Sequence, residues 1–119
     1  MKQLLYAALA VAGLALPAYA HTPLTSSAPA AGSKVAPPVT QIVLEFGGDV
    51  RLTALALTDS TGAAKKVAEV PTEIAKKFTL AIREELAPGD YVATWRAVGA
   101  DTHVVSGEIK FSVTAAHSR

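Results

Sequence analysis

Apolar and polar side chains alternate in short runs along this chain, and that period of two limits what it can fold into. Ile42, Leu44 and Phe46 are interleaved with Gln41, Val43 and Glu45. Phe78, Leu80 and Ile82 repeat the pattern, and Tyr91, Ala93, Trp95 and Ala97 share one side of a later segment. Ile109, Phe111 and Val113 close the series, with Glu108, Lys110 and Ser112 facing the other way. Successive side chains of a strand point to opposite faces, so each run reads as a half-buried strand. Gly47-Gly48-Asp49, Asp59-Ser60-Thr61-Gly62 and Leu86-Ala87-Pro88-Gly89 punctuate the runs as turn or bulge signals. Short strands with turns at roughly ten-residue spacing predict an all-β, antiparallel sandwich or barrel.

The remaining segments fit around that frame. Residues 21–39 hold Pro23, Pro29, Pro37 and Pro38 and cannot form a helix of any length. They read as an extended arm with a turn at Ala30-Ala31-Gly32. Val50 to Thr58 reads as a strand, and Lys66 to Val70 as a short one ended by Pro71. Thr72 to Glu85 has some helical propensity, with strand preferred for its second half. Tyr91 and Trp95 read as core aromatics, and Tyr91 follows the Leu86-x-Pro-Gly corner where a tyrosine hydroxyl can bond back to upstream backbone.

The N-terminus has the pattern of a secretory signal. Lys2 gives a positive start, Leu4 to Leu16 is apolar and uncharged, and Ala18-Tyr19-Ala20 is a small-x-small cleavage site. The run is shorter than the roughly 20 residues that span a bilayer, which disfavours an uncleaved anchor. The organisation expected is therefore a signal over 1–20 and one domain over 21–119, with 114–119 as a tail. Cleavage after Ala20 makes His21 the mature N-terminus. Removing 20 residues from 119 leaves 99, a common size for one domain.

Removing Lys2 from 11 Lys and Arg, against 10 Asp and Glu, leaves a formal charge of zero. Lys65-Lys66 and Lys76-Lys77 are isolated pairs, so nothing suggests a nucleic-acid partner. There is no cysteine, which excludes disulfides and thiolate metal sites. The one methionine is Met1 and leaves with the signal, so the mature domain has no sulfur ligand. There is no G-x-S-x-G, and Gly47-Gly48 is not followed by the Lys-Ser/Thr of a phosphate loop.

The histidines remain: His21, His103 and His117. His117 reads as a tail residue. Asp101-Thr102-His103 would set a carboxylate and an imidazole on one side of a strand. An N-terminal His21 would add an α-amine and Nδ1 able to close a chelate ring. Nitrogen and carboxylate donors in a tetragonal arrangement favour Cu(II), whereas Zn(II) prefers a tetrahedron. Pro23 has no amide hydrogen, so coordination along deprotonated backbone amides is blocked. The remaining donors must come from elsewhere in the fold.

Taken in order, these residues resemble the CopC family of periplasmic copper-binding proteins. The likeness runs through His21, Ser27-Ala28-Pro29-Ala30-Ala31-Gly32 and Val43-Leu44-Glu45-Phe46. It continues through residues 86–96 (L-x-P-G-x-Y and W-R), 100–107 (D-x-H-x-x-x-G) and Phe111-Ser112-Val113. The resemblance implies a small immunoglobulin-like antiparallel β-sandwich or barrel with Greek-key connections. It also implies one Cu(II) held in a histidine brace by His21, Asp101 and His103, a periplasmic location, and handover to an inner-membrane importer of the CopD type. No long exposed apolar segment demands a dimer, so a monomer is expected. Some members carry a methionine-rich Cu(I) site, which this chain cannot build. Two further departures are Gly48 where the family tends to have an acidic residue, with Asp49 one place along, and Thr102 where D-G-H is common.

Two other readings stay open on sequence alone. A copper-dependent oxidative enzyme could use the same brace, although few aromatics are left for a substrate face. An interaction sandwich could carry the histidines incidentally.

Overall fold

The computed structural model describes residues 24–115, and every regular element among them is a strand. They are β1 (Leu24–Ala28), β2 (Lys34–Val35), β3 (Gln41–Asp59), β4 (Ala64–Lys65), β5 (Ile74–Ala81), β6 (Gly89–Gly99) and β7 (Val104–Val113). The sheet runs β1-β3-β6-β7-β2, with β4 and β5 also on β3. All pairings are antiparallel except β2 with β7, so the proline-rich arm closes the sheet with one short parallel contact. His21, His117 and the signal segment lie outside the described residues.

β3 organises the molecule. The two strands expected on either side of Gly47-Gly48-Asp49 are one strand of 19 residues. The glycines mark a shift of register between Glu45 and Val50 rather than a reversal. A bulge of this kind bends and twists a strand while it stays in its sheet. The first half of β3 pairs with β1 and the second half with β6 and β4, while β5 pairs on both sides of the bulge.

The alternation then buries one continuous set of side chains. Ile42, Leu44, Phe46, Val50, Leu52 and Leu57 of β3 pack with Phe78 and Leu80 of β5. Tyr91, Ala93, Trp95 and Ala97 of β6, Ile109, Phe111 and Val113 of β7, and Ile82 and Leu86 between β5 and β6 complete the core. The Phe46 ring meets Trp95 edge-on at 5.2 Å and Phe78 at 6.0 Å, which joins the two halves of the bent strand. Such aromatic pairs add about 0.5–1.5 kcal/mol beyond their buried area.

The corner after Leu86 forms as expected. The Tyr91 hydroxyl donates to the Ala87 carbonyl at 2.6 Å, and Gly89 takes a positive φ of 149° that side chains rarely adopt. One expectation fails. Lys66 to Val70 is not a strand, because only Val67 bridges to Ile82 while the paired residues are Ala64 and Lys65. The strand preferred for the second half of Thr72 to Glu85 forms and begins earlier, at Ile74, because pairing with β3 outweighs the local helical propensity.

β5 pairs with Gln41–Glu45 and again with Val50 and Arg51, which occupies one edge of β3. β1 and β6 therefore share the other edge. Leu24, the first residue of β1, faces Phe46, and Gly99, the last residue of β6, faces Val50. These two ends approach each other along the same edge, four β3 residues apart. That is about 13 Å or less at roughly 3.3 Å per residue.

Candidate metal centre

Among the described residues no polar or charged residue is fully buried, so their ionisable groups lie at or near the surface. Asp101 and His103 sit in the hairpin that joins β6 to β7, at the end of the sheet reached by Leu24. The Thr102 N–H donates to the Gly99 carbonyl at 2.9 Å, and the Gly99 N–H donates to the His103 carbonyl at 3.0 Å. This leaves Ala100, Asp101 and Thr102 as a three-residue loop. In loops of this length the third residue ordinarily adopts the left-handed conformation, and here Thr102 has φ 66°.

The loop brings the two candidate ligands together, though by a different route from strand geometry. Neither Asp101 nor His103 belongs to a strand. The carboxylate folds forward instead. The His103 N–H donates to Asp101 Oδ1 at 3.1 Å, and His103 Nδ1 lies 3.0 Å from Asp101 Oδ2. A proton held on Nδ1 by the carboxylate places the lone pair of a neutral imidazole on Nε2, the tautomer suited to a metal.

The His103 and Asp101 side chains are 66% and 51% exposed, and a pair this exposed contributes roughly 0–1 kcal/mol. A non-glycine residue in the left-handed region costs about 1–2 kcal/mol, and a β-branched one is an outlier there. Backbone strain of this kind gathers at functional sites. Thr102 is the residue that sequence reasoning undervalued. The signal was the glycine common at this place in the D-G-H pattern, which a left-handed backbone explains.

Among the described residues no group of three or more His, Cys, Asp or Glu side chains converges to hold a metal. Asp101 and His103 bring one carboxylate and one imidazole together, and a metal held there would need donors from beyond the described residues. The tail begins anchored: the Thr114 N–H donates to the Val35 carbonyl at 2.8 Å. Asp49 falls within β3, at the bulge between the facing ends of β1 and β6.

The all-β fold carries an exposed carboxylate–imidazole pair on the hairpin at one end of its sheet, a surface arrangement of groups able to ligate a metal. Residues 24–114 match the model of the CopC domain, so the chain belongs to the CopC family. Copper resistance protein C of Escherichia coli is 36% identical over 114 residues, covering 87% of this chain and 89% of that protein. Copper resistance protein C of Pseudomonas syringae pv. tomato is 33% identical over 104 residues, covering 81% and 82%. Among solved structures, CopC from Methylosinus trichosporium OB3b aligns with a TM-score of 0.70 at 29% identity, covering 83% of this chain and 99% of that one. PcoC, a methionine-rich copper resistance protein from Escherichia coli, aligns with a TM-score of 0.62 at 36% identity, covering 80% and 100%.

Proposed function

We propose that the mature chain, beginning at His21 after loss of residues 1–20, binds one Cu(II) in the periplasm and buffers or carries it. His21 supplies its α-amine and Nδ1, His103 supplies Nε2, and Asp101 supplies carboxylate charge while holding the His103 ring. The protein acts by binding, without turnover. It serves as a monomer in copper resistance or uptake, and passes the ion to an inner-membrane acceptor of the CopD type.

The observation that carries this reading is the shared edge of β3. Leu24 and the 99–103 hairpin approach each other there across about 13 Å at roughly 3.3 Å per residue. His21 precedes Leu24 by three residues, an extended reach of roughly 10 Å. The register therefore supports an N-terminal histidine meeting Asp101 and His103. The donor chemistry agrees: nitrogen and oxygen without sulfur suit Cu(II). A methionine-rich relative has soft sulfur to offer, whereas the only methionine of this chain is Met1. A single Cu(II) site without a dedicated Cu(I) site follows. The names of the relatives, copper resistance proteins, support copper as the cargo.

Cu(II) titration of the chain beginning at His21, followed by electron paramagnetic resonance, tests the proposal. One equivalent with a tetragonal, nitrogen-rich spectrum is expected. His103→Ala weakens binding strongly, His117→Ala changes it little, and one extra residue before His21 displaces the amine and damages the site. Equal effects of the two histidine substitutions, or no effect of the extension, would remove the brace.

A further inference from the structure

We infer that Thr102 is a positioning residue, trading stability for a hairpin that holds Asp101 and His103 ready for the metal. This rests on the copper reading above for its ligand, and on the geometry of residues 99–103 for its mechanism.

Thr102 occupies the one loop position that requires a positive φ, at 66°. A glycine there would reach the same conformation without strain, but it would also sample many others. A β-branched residue has only a small left-handed well. Once the hairpin has closed through the Thr102 N–H to Gly99 and the Gly99 N–H to His103, threonine is confined to that well. Its hydroxyl adds a second restraint by donating to the carbonyl of Asp101. Both restraints bear on the peptide that links the two ligands. The Asp101 carboxylate stays on the His103 N–H and on Nδ1, and the imidazole is held before any metal arrives. A ligand pair ordered beforehand loses less conformational freedom on binding.

The functional prediction has two opposite signs, which a purely structural role would not give. Thr102→Gly should raise the melting temperature of the copper-free protein by a few degrees as strain is relieved. It should weaken Cu(II) binding by about tenfold, the effect of letting roughly one backbone residue move again. Thr102→Ala keeps the restriction on φ and loses the hydroxyl, so its affinity should fall between the two.

The experiment uses the chain beginning at His21 and its Thr102→Gly and Thr102→Ala variants. It combines thermal melting, Cu(II) titration and the imidazole nitrogen NMR signals of the copper-free proteins. The wild type should show His103 fixed with its proton on Nδ1, and Thr102→Gly should show an averaged tautomer signal. A higher melting temperature with unchanged affinity and unchanged imidazole signals would reduce Thr102 to a strained turn residue and overturn the inference. A lower melting temperature would show that the strain is absent and overturn it as well. If His103→Ala leaves wild-type Cu(II) binding intact, the copper reading fails by itself. The copper-free imidazole signals still decide the role of Thr102.

Discussion

Gly107 has no side chain because Trp95 lies against its backbone, and substituting it gives a test with competing signs. The two residues face each other across β6 and β7. A Cβ at position 107 would sit 2.9 Å from Trp95 Cζ2 and 3.1 Å from both Cε2 and Nε1. Real Cβ contacts essentially never fall below 3.0 Å, so the indole must move. It cannot hinge away like the end of a lysine. Trp95 is 6% exposed and is braced edge-on by Phe46. Overpacking a core in this way costs about 1–3 kcal/mol. Against it, alanine is better than glycine inside a strand by roughly 0.5–1 kcal/mol. At the centre of the two ranges, about 2 against about 0.75 kcal/mol, packing wins, and Gly107→Ala should destabilise the fold by about 1–1.5 kcal/mol. For a domain of this size each kcal/mol moves the midpoint by about 4–8 °C, so melting should fall by roughly 4–12 °C. Trp95 is the only tryptophan, so near-ultraviolet circular dichroism also reports the displaced ring. An unchanged or raised midpoint would mean that the ring yields freely and that the backbone preference decides, which would refute the argument.

Other perturbations give smaller, separable effects. Tyr91→Phe removes the hydroxyl bond to Ala87 and should cost about 1 kcal/mol in chemical denaturation, with the strand pattern retained. The Asp59 carboxyl is lowered to about 2, first by the hydroxyl of Thr61, then by the Ala63 and Thr61 N–H groups and Lys65. Its folded value lies below the unfolded one, so its stabilisation is complete above about pH 4 and is lost as pH falls towards 2. Asp59→Asn should therefore flatten the acid limb of the stability curve in that window, measured by melting across pH. Under the copper proposal the α-amine must lose its proton before it coordinates, so Cu(II) affinity should fall as pH drops below about 8. A pH-independent affinity would point to carboxylate ligands alone.

The alternating segments were legible because burial on one face of a strand writes itself into local sequence. Alternate residues of 42–46, 78–82, 91–97 and 109–113, beginning with the first of each, enter the core as the period of two requires. The tyrosine corner was legible for the same reason: Leu86-x-Pro-Gly-x-Tyr91 is a local geometric unit. The continuity of β3 was not. Gly47-Gly48-Asp49 is compatible with a turn or a bulge, and only the pairing of β5 on both sides of it selects the bulge. The short strand expected at Lys66 to Val70 failed because two-residue pairings depend on what β3 offers, not on the residues themselves.

At the candidate site the chain by itself determined the residue types, oxygen and nitrogen donors without sulfur, and the neighbourhood of Asp101 with His103. Tertiary structure decided how they meet. They belong to a three-residue hairpin loop, held by a carboxylate folded onto the following imidazole and by a threonine at φ 66°. Tertiary structure also set β1 and β6 end to end on one edge of β3, a relation between residues about 75 apart in sequence. Side-chain period is a property of neighbours and survives in sequence. Which edge a strand occupies depends on what has already paired with the other one, and only the folded sheet fixes that.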